Sequence, residues 1–177
     1  ATSVDDICAA AKVTKGSFFH YYRSKDELAR EAVTRFYESS RQAFAAAPYR
    51  KEADPLRRVH GYLDFLAQLS RGPMAKGGCL IGTLAHELGD SNETMRQTCA
   101  ECFADWAAAL RADFAAAKAK YAPRARWSPH GLADHCIAVI EGGLILVRSS
   151  GDPAVLQESV AHLRRYVMML FDDNDSK

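Results

Sequence analysis

Between Lys12 and Lys25 the chain carries four cationic side chains, Lys12, Lys15, Arg23 and Lys25, and no acid. Among them stand Ser17, Phe19, His20, Tyr21 and Tyr22, several of which donate hydrogen bonds. Cations and donors at this density suit one kind of chemistry, the non-covalent recognition of a phosphate backbone and the bases it carries. The local excess counts for more than the formal net charge of +1. Attraction to phosphate is screened beyond about 10 Å at ~0.1 M salt.

Other residue types offer less. Six histidines are present, with His86-Glu87 and Asp134-His135 as neighbouring pairs, yet no two share a helix face at ligand spacing. No metal site and no cofactor are expected. There is no nucleotide-binding glycine loop, nucleophile elbow or paired-carboxylate signature, so an enzyme is not expected. The five cysteines are odd in number and lack framework spacing, which fits free thiols in a reducing cytoplasm. Cys99 and Cys102 share a face of a helical pattern and read as core. Cys79 follows Gly77-Gly78 at an expected helix start, where backbone amides can acidify a thiol; the competing reading is a buried cysteine.

The elements that must hold these groups are helical throughout. Val4, Ile7, Cys8 and Ala11 mark a first short helix, and Thr14 is a good N-cap for a second. Ser24 and Glu27 form a capping box for a third, running to about Ala46, with Leu28, Ala32, Phe36 and Ala43 on one side. Asp54-Pro55 opens the stripe Leu56, Val59, Leu63, Leu66, Leu69. A helix from about Gly78 to Leu88 follows, and then a long one capped by Ser91 through Met95, Cys99, Cys102, Trp106, Leu110 and Phe114. Ser128-Pro129 and Asp152-Pro153 open the last two, before a frayed tail from Asp172 to Lys177. Hydrophobic residues make up 48% of the chain, enough for a substantial core. No apolar run approaches the ~18 residues of a membrane span, and no signal-peptide pattern is present.

Two short helices around a tight turn, the second rich in phosphate donors, make a helix-turn-helix. The segments Thr2–Ile7, Ala9–Tyr22 and Ser24–Leu28 together resemble the DNA-binding domain of TetR-family transcriptional regulators. A weaker resemblance, at Gly78-Cys79-Leu80-Ile81-Gly82-Thr83-Leu84-Ala85-His86-Glu87-Leu88, is to the branch that includes repressors of N-ethylmaleimide reductase and of acrylate metabolism. The family carries a further helix ahead of the Thr2-Ser3 position, packed beneath the helix-turn-helix, so a segment before Ala1 is expected.

The resemblance implies an all-α protein, a helix-turn-helix head over residues 1–46 on a ligand-binding and dimerisation body over 47–177. It implies a cytoplasmic repressor that binds an inverted-repeat operator in double-stranded DNA as a homodimer and is released by a small-molecule inducer, with no membrane partner. Thr2, Thr14, Lys15, Gly16, Ser17, Phe19, His20, Tyr21 and Lys25 are the expected DNA-contacting residues, while Phe18 and Tyr22 pack inward. In the body, Phe65, Cys79, Thr83, Glu87, Phe103, Trp106 and His135 are the candidates for an apolar cavity with a few orienting polar groups. Val139, Ile140, Leu144, Leu163, Val167 and Leu170 offer more apolar surface than one packing face needs, and Gly142-Gly143 would admit a close partner helix. The competing reading is a helical small-molecule-binding or interaction module without DNA function.

Overall fold

Each helix begins where its sequence supplies a capping side chain. In the computed structural model of the chain, which describes residues 2–72, 75 and 77–172, Ser3 caps α1 (Val4–Ala11). Its hydroxyl accepts the Asp6 amide at 3.2 Å, and the Asp6 carboxylate accepts the Ser3 amide at 2.8 Å. Lys12 turns the chain in the left-handed region, φ 55°. Thr14 Oγ1 then accepts the Ser17 amide at 3.1 Å and opens α2 (Lys15–Tyr21). Ser24 caps α3 (Lys25–Ala46). The Glu27 carboxylate reaches back to the Arg23 amide at 2.6 Å, one residue earlier than the expected box.

A 3-10 turn (Pro48–Lys51) leads to α4 (Pro55–Leu69), where Asp54 Oδ1 accepts the amides of Leu56 and Arg57, each at 3.0 Å. Then come α5 (Leu80–Leu88), α6 (Glu93–Tyr121), α7 (Pro129–Ser150) and α8 (Ala154–Asp172). Among the described residues there are eight α-helices and no strand, an all-α fold. Two starts differ from the sequence reading. Gly78 lies outside α5 in the left-handed region, φ 72°, and Cys79 is the cap. Asn92, not Ser91, caps α6, accepting the Met95 amide at 3.0 Å; the Ser91 hydroxyl instead donates to the Leu88 carbonyl at the end of α5. The expected fraying at 173–177 lies outside the described residues.

The long α6 packs against α3, α4, α5 and α7, and α8 closes on α7 and α4. The main core, around Leu63, Leu66, Phe114, Cys136, Leu156 and Val167, fills the space between α4, α6, α7 and α8. A smaller core joins Val33 of α3 to Ile81, Met95, Cys99 and Cys102, so the Cys-x-x-Cys pair is packing. Each fully buried aliphatic or aromatic side chain contributes roughly 1.5–3 kcal/mol. The inward stripe of α3 differs from the one expected. Contact with α5 and α6 runs through Ala29, Val33 and Tyr37, which leaves Phe36 and Ala43 exposed.

The expectation that no segment approaches a membrane span is also corrected, because α7 is long and apolar enough by length and composition alone. Within the chain its Leu132, Cys136, Ile140, Leu144 and Val147 are buried in the main core, as in a core helix. Close packing can be tested at Gly61, where an added Cβ would stand 2.4 Å from Tyr49 Cβ and 3.4 Å from Tyr49 Cα. Gly61→Ala is expected to destabilise by about 1–3 kcal/mol in urea unfolding. Gly131→Ala, whose nearest neighbour would lie at 3.8 Å, should be neutral or stabilising.

Candidate functional site

Helix α2 has one buried anchor and a free outer surface. Phe18 is buried and meets Phe19 edge-on at 5.2 Å and Tyr22 at 5.7 Å between ring centroids. Phe19 and Tyr21 are 55% and 75% exposed, a large apolar surface for a soluble helix to leave uncovered. Ser17 and His20 are exposed beside them. Lys15 Nζ lies 2.9 Å from the Asp5 carboxylate in an open ion pair. Lys25 Nζ donates to the Thr2 carbonyl at 2.9 Å, which ties the start of α3 to the start of α1. Nothing inside the chain crowds Gly16 beyond Thr14 Oγ1 at 3.7 Å from an added Cβ. Seven of the nine candidates of the head thus lie on α2 or at its cap, where the exposed Thr14 is engaged with the Ser17 amide, and the other two, Thr2 and Lys25, meet at the starts of α1 and α3.

The body encloses two cavities with a common wall. The first, about 640 Å³, lies between α5 and α7 and is lined by Cys79, Thr83, Glu87, Phe103, Glu141 and Arg148 among others. The second, about 380 Å³, lies under α3 and is lined by Phe44, Tyr49, Tyr62, Trp106, Glu141 and others. Cys79, Gly78, Glu141 and Leu144 border both. Five of the seven sequence candidates reach a cavity: Cys79, Thr83, Glu87 and Phe103 the first, Trp106 the second. Phe65 meets Phe44 edge-on at 5.3 Å between ring centroids, behind the wall. His135 is exposed on α7 against Tyr166, ring centroids 5.4 Å apart. These two are not brought to either space.

The sequence reading missed Tyr37, Tyr62, Arg50 and Glu141. Trp106 Nε1 donates to the Tyr62 hydroxyl at 3.3 Å, and the Tyr37 hydroxyl donates to Asp105 at 2.5 Å. Burial and then Asp105 hold the Tyr37 phenol well above its ordinary range. Arg50 and Arg58 grip Asp113 at 2.6 and 2.8 Å. Glu141 carried a visible signal, as an acid inside the apolar run from Cys136 to Val147. Its carboxylate occupies the space left by Gly82, where an added Cβ would fall 2.2 Å from Oε2.

Of the two readings of Cys79, an acidified thiol and a buried one, the surroundings favour the buried one. Its Sγ accepts the Gly82 amide at 3.5 Å, as a cap should. Burial, followed by the neighbouring Glu141 carboxyl, outweighs that amide and pushes the thiol up to about 12. Its reaction with N-ethylmaleimide in the native protein at neutral pH is therefore expected to be on the order of a thousandfold slower than in the unfolded chain. Mass spectrometry of a timed digest measures this, and rapid native labelling of Cys79 would contradict it.

Comparison with known proteins bears on both parts. Residues 1–32 match the family model for bacterial regulatory proteins of the tetR family, and residues 55–163 match that for the tetracyclin repressor-like C-terminal domain. The HTH-type transcriptional repressor DhaR of Mycobacterium sp. strain GP1 is 25% identical over 147 residues, covering 83% of this chain and 72% of that protein. The transcriptional regulator AcuR of Cereibacter sphaeroides is 31% identical over 93 residues, 50% of this chain and 41% of that one. Among solved structures, a TetR transcriptional regulator from Chloroflexus aurantiacus superposes with a TM-score of 0.82 at 26% identity, covering 94% of this chain and 84% of that one. The chain belongs to the TetR family of transcriptional regulators.

Proposed function

We propose that this regulator is a cytoplasmic repressor that binds an inverted-repeat operator as a homodimer and leaves it when a small molecule occupies the body. Residues 1–46 read DNA, and residues 47–177 sense the ligand and join the two copies. The observation that carries the reading is the outer surface of α2, where Phe19, His20 and Tyr21 stand exposed beside Lys15 while Phe18 alone anchors the helix. The amides at the start of α2 and α3 and the side chains of Thr2, Thr14, Ser17 and Lys25 lie at its flanks, where phosphates pass. Gly16 leaves room there for the backbone to come close.

The cavities supply the sensing half. Six residues lining the second belong to α3, among them Phe36, Tyr37 and Phe44, and α3 is the helix that carries the head. A ligand there acts directly on the element that sets the position of α2. Operator grooves lie about 34 Å apart, so a small change in head spacing weakens both contacts together.

An unbiased selection from random duplex DNA with the complete protein tests this, and a selection that enriches no sequence overturns it. Lys25→Ala should weaken binding to all sequences alike and lower the salt slope by about one phosphate per protomer, measured by fluorescence anisotropy across a salt series.

A further inference from the structure

We infer that the second cavity binds an organic cation, its charge set against the Glu141 carboxylate and its body held by the surrounding aromatic rings. The inference rests on the reading of the body as the inducer site and names the class of molecule it takes.

The charge pattern of the wall leads there. The lining residues Arg41 and Arg50 are already engaged, Arg41 with Glu38 at 3.0 Å and Arg50 with Asp113 at 2.6 Å. Asp113 is held by Arg58 as well, and Asp105 accepts the Tyr37 hydroxyl. Two guanidinium groups thus face three carboxyls; Asp113 takes up Arg50, Asp105 is met by a phenol, and Glu141, like Asp105, has no Lys or Arg in an ion pair among the described residues. Its neighbours are the Cys79 thiol and, from the exposed side of α5, His86. Burial raises its affinity for a proton, so a cation that enters beside it replaces the proton as counter-charge.

The rest of the wall suits the same ligand. Phe44, Tyr49, Tyr62 and Trp106 surround the space, with Phe44 and Tyr62 at 6.0 Å and Phe44 and Trp106 at 6.4 Å between centroids. Aromatic faces attract a desolvated cation more strongly than a hydrated one, and quaternary ammonium groups are recognised in this way. An anion would instead meet the negative faces of these rings and the Glu141 carboxyl.

Calorimetric titration of the complete protein with three probes tests this: benzyltrimethylammonium, its neutral isostere neopentylbenzene, and 4-phenylbutyrate. The expected result is that the cation binds at least about tenfold more tightly than either other probe, and that Glu141→Gln removes this preference. Circular dichroism reports whether Glu141→Gln keeps its helices; if it does not, the ranking of the probes on the unmodified protein decides alone. Equal or tighter binding of the neutral or anionic probe, or a preference that survives in folded Glu141→Gln, overturns the cation assignment and leaves the body as a sensor. Failure of all three to bind overturns the assignment together with the cavity's role as inducer site. Operator binding measured on the same samples reports on the DNA function independently.

Discussion

The protein with Lys15 and Tyr21 both replaced by alanine is expected to bind its selected operator at least about a thousandfold more weakly, at the level of unrelated DNA. Contacts of these kinds are each worth about 1–3 kcal/mol, and in a symmetric dimer every substitution is made twice. The fold should hardly notice. The Lys15–Asp5 pair is open to solvent on both sides, at 59% and 68% side-chain exposure, and such screened pairs contribute little to stability. Tyr21 is 75% exposed and meets the His20 ring edge-on at 4.9 Å. A thermal melt alongside anisotropy separates the two effects. Unchanged affinity in a folded double variant would remove α2 from the role of reader. Phe18→Ala is not an equivalent test, since Phe18 is the buried anchor of α2 and its loss would loosen the head itself.

The head was legible in the sequence because its structure is local. Ser3, Thr14 and Ser24 each bond an amide three residues ahead, so cap, turn and helix are written in consecutive residues. The same held for Asp54-Pro55 and Ser128-Pro129. Where two capping residues stood together, at Ser91 and Asn92, sequence could not decide between them; the choice depends on how the turn from α5 closes.

The body was legible only in part, because cavity walls are assembled from distant segments. Trp106 and Tyr62 meet across 44 positions and Tyr37 and Asp105 across 68. Periodicity shows that a residue faces inward but not which neighbour it faces. Phe65 and Trp106 had equal claims on that basis, yet Phe65 packs behind Phe44 and Trp106 lines the space. His135 was chosen for its chemistry on a face that turned out to be the outer one. Glu141 was overlooked for the opposite reason: a single acid in an apolar helix looks like an interruption until Gly82 is seen to make room for it.

A homodimer built on α7 and α8 would be joined by residues that differ from those the sequence pointed to. Ile140, Leu144, Leu163 and Val167 are buried in the chain's own core, and Gly143 faces inward, where an added Cβ would lie 2.7 Å from Leu156 Cδ1. The uncovered apolar groups are Ile145, Leu146, Tyr166 and Met169, between 45% and 59% exposed. At about 3.6 residues per turn, His135, Gly142 and Leu146 fall in line along α7, and nothing lies within 4 Å of a Cβ added at Gly142. This smooth apolar face on α7 and α8 is where a second copy would pack, since obligate dimers bury ~2,000 Å² or more of such surface. Deleting α8 cannot test it, because Leu156, Val160 and Val167 are needed inside each copy and the chain would unfold whatever its partner. Leu146→Asp with Met169→Asp, both on the outer face, is the cleaner change. We expect a helical monomer at micromolar concentration in light scattering, with operator affinity lowered at least about a thousandfold because a single head engages only one half-site. A variant that remains dimeric would place the interface on another face, and a monomer that still binds the operator at full affinity would show that the two half-sites are not read together.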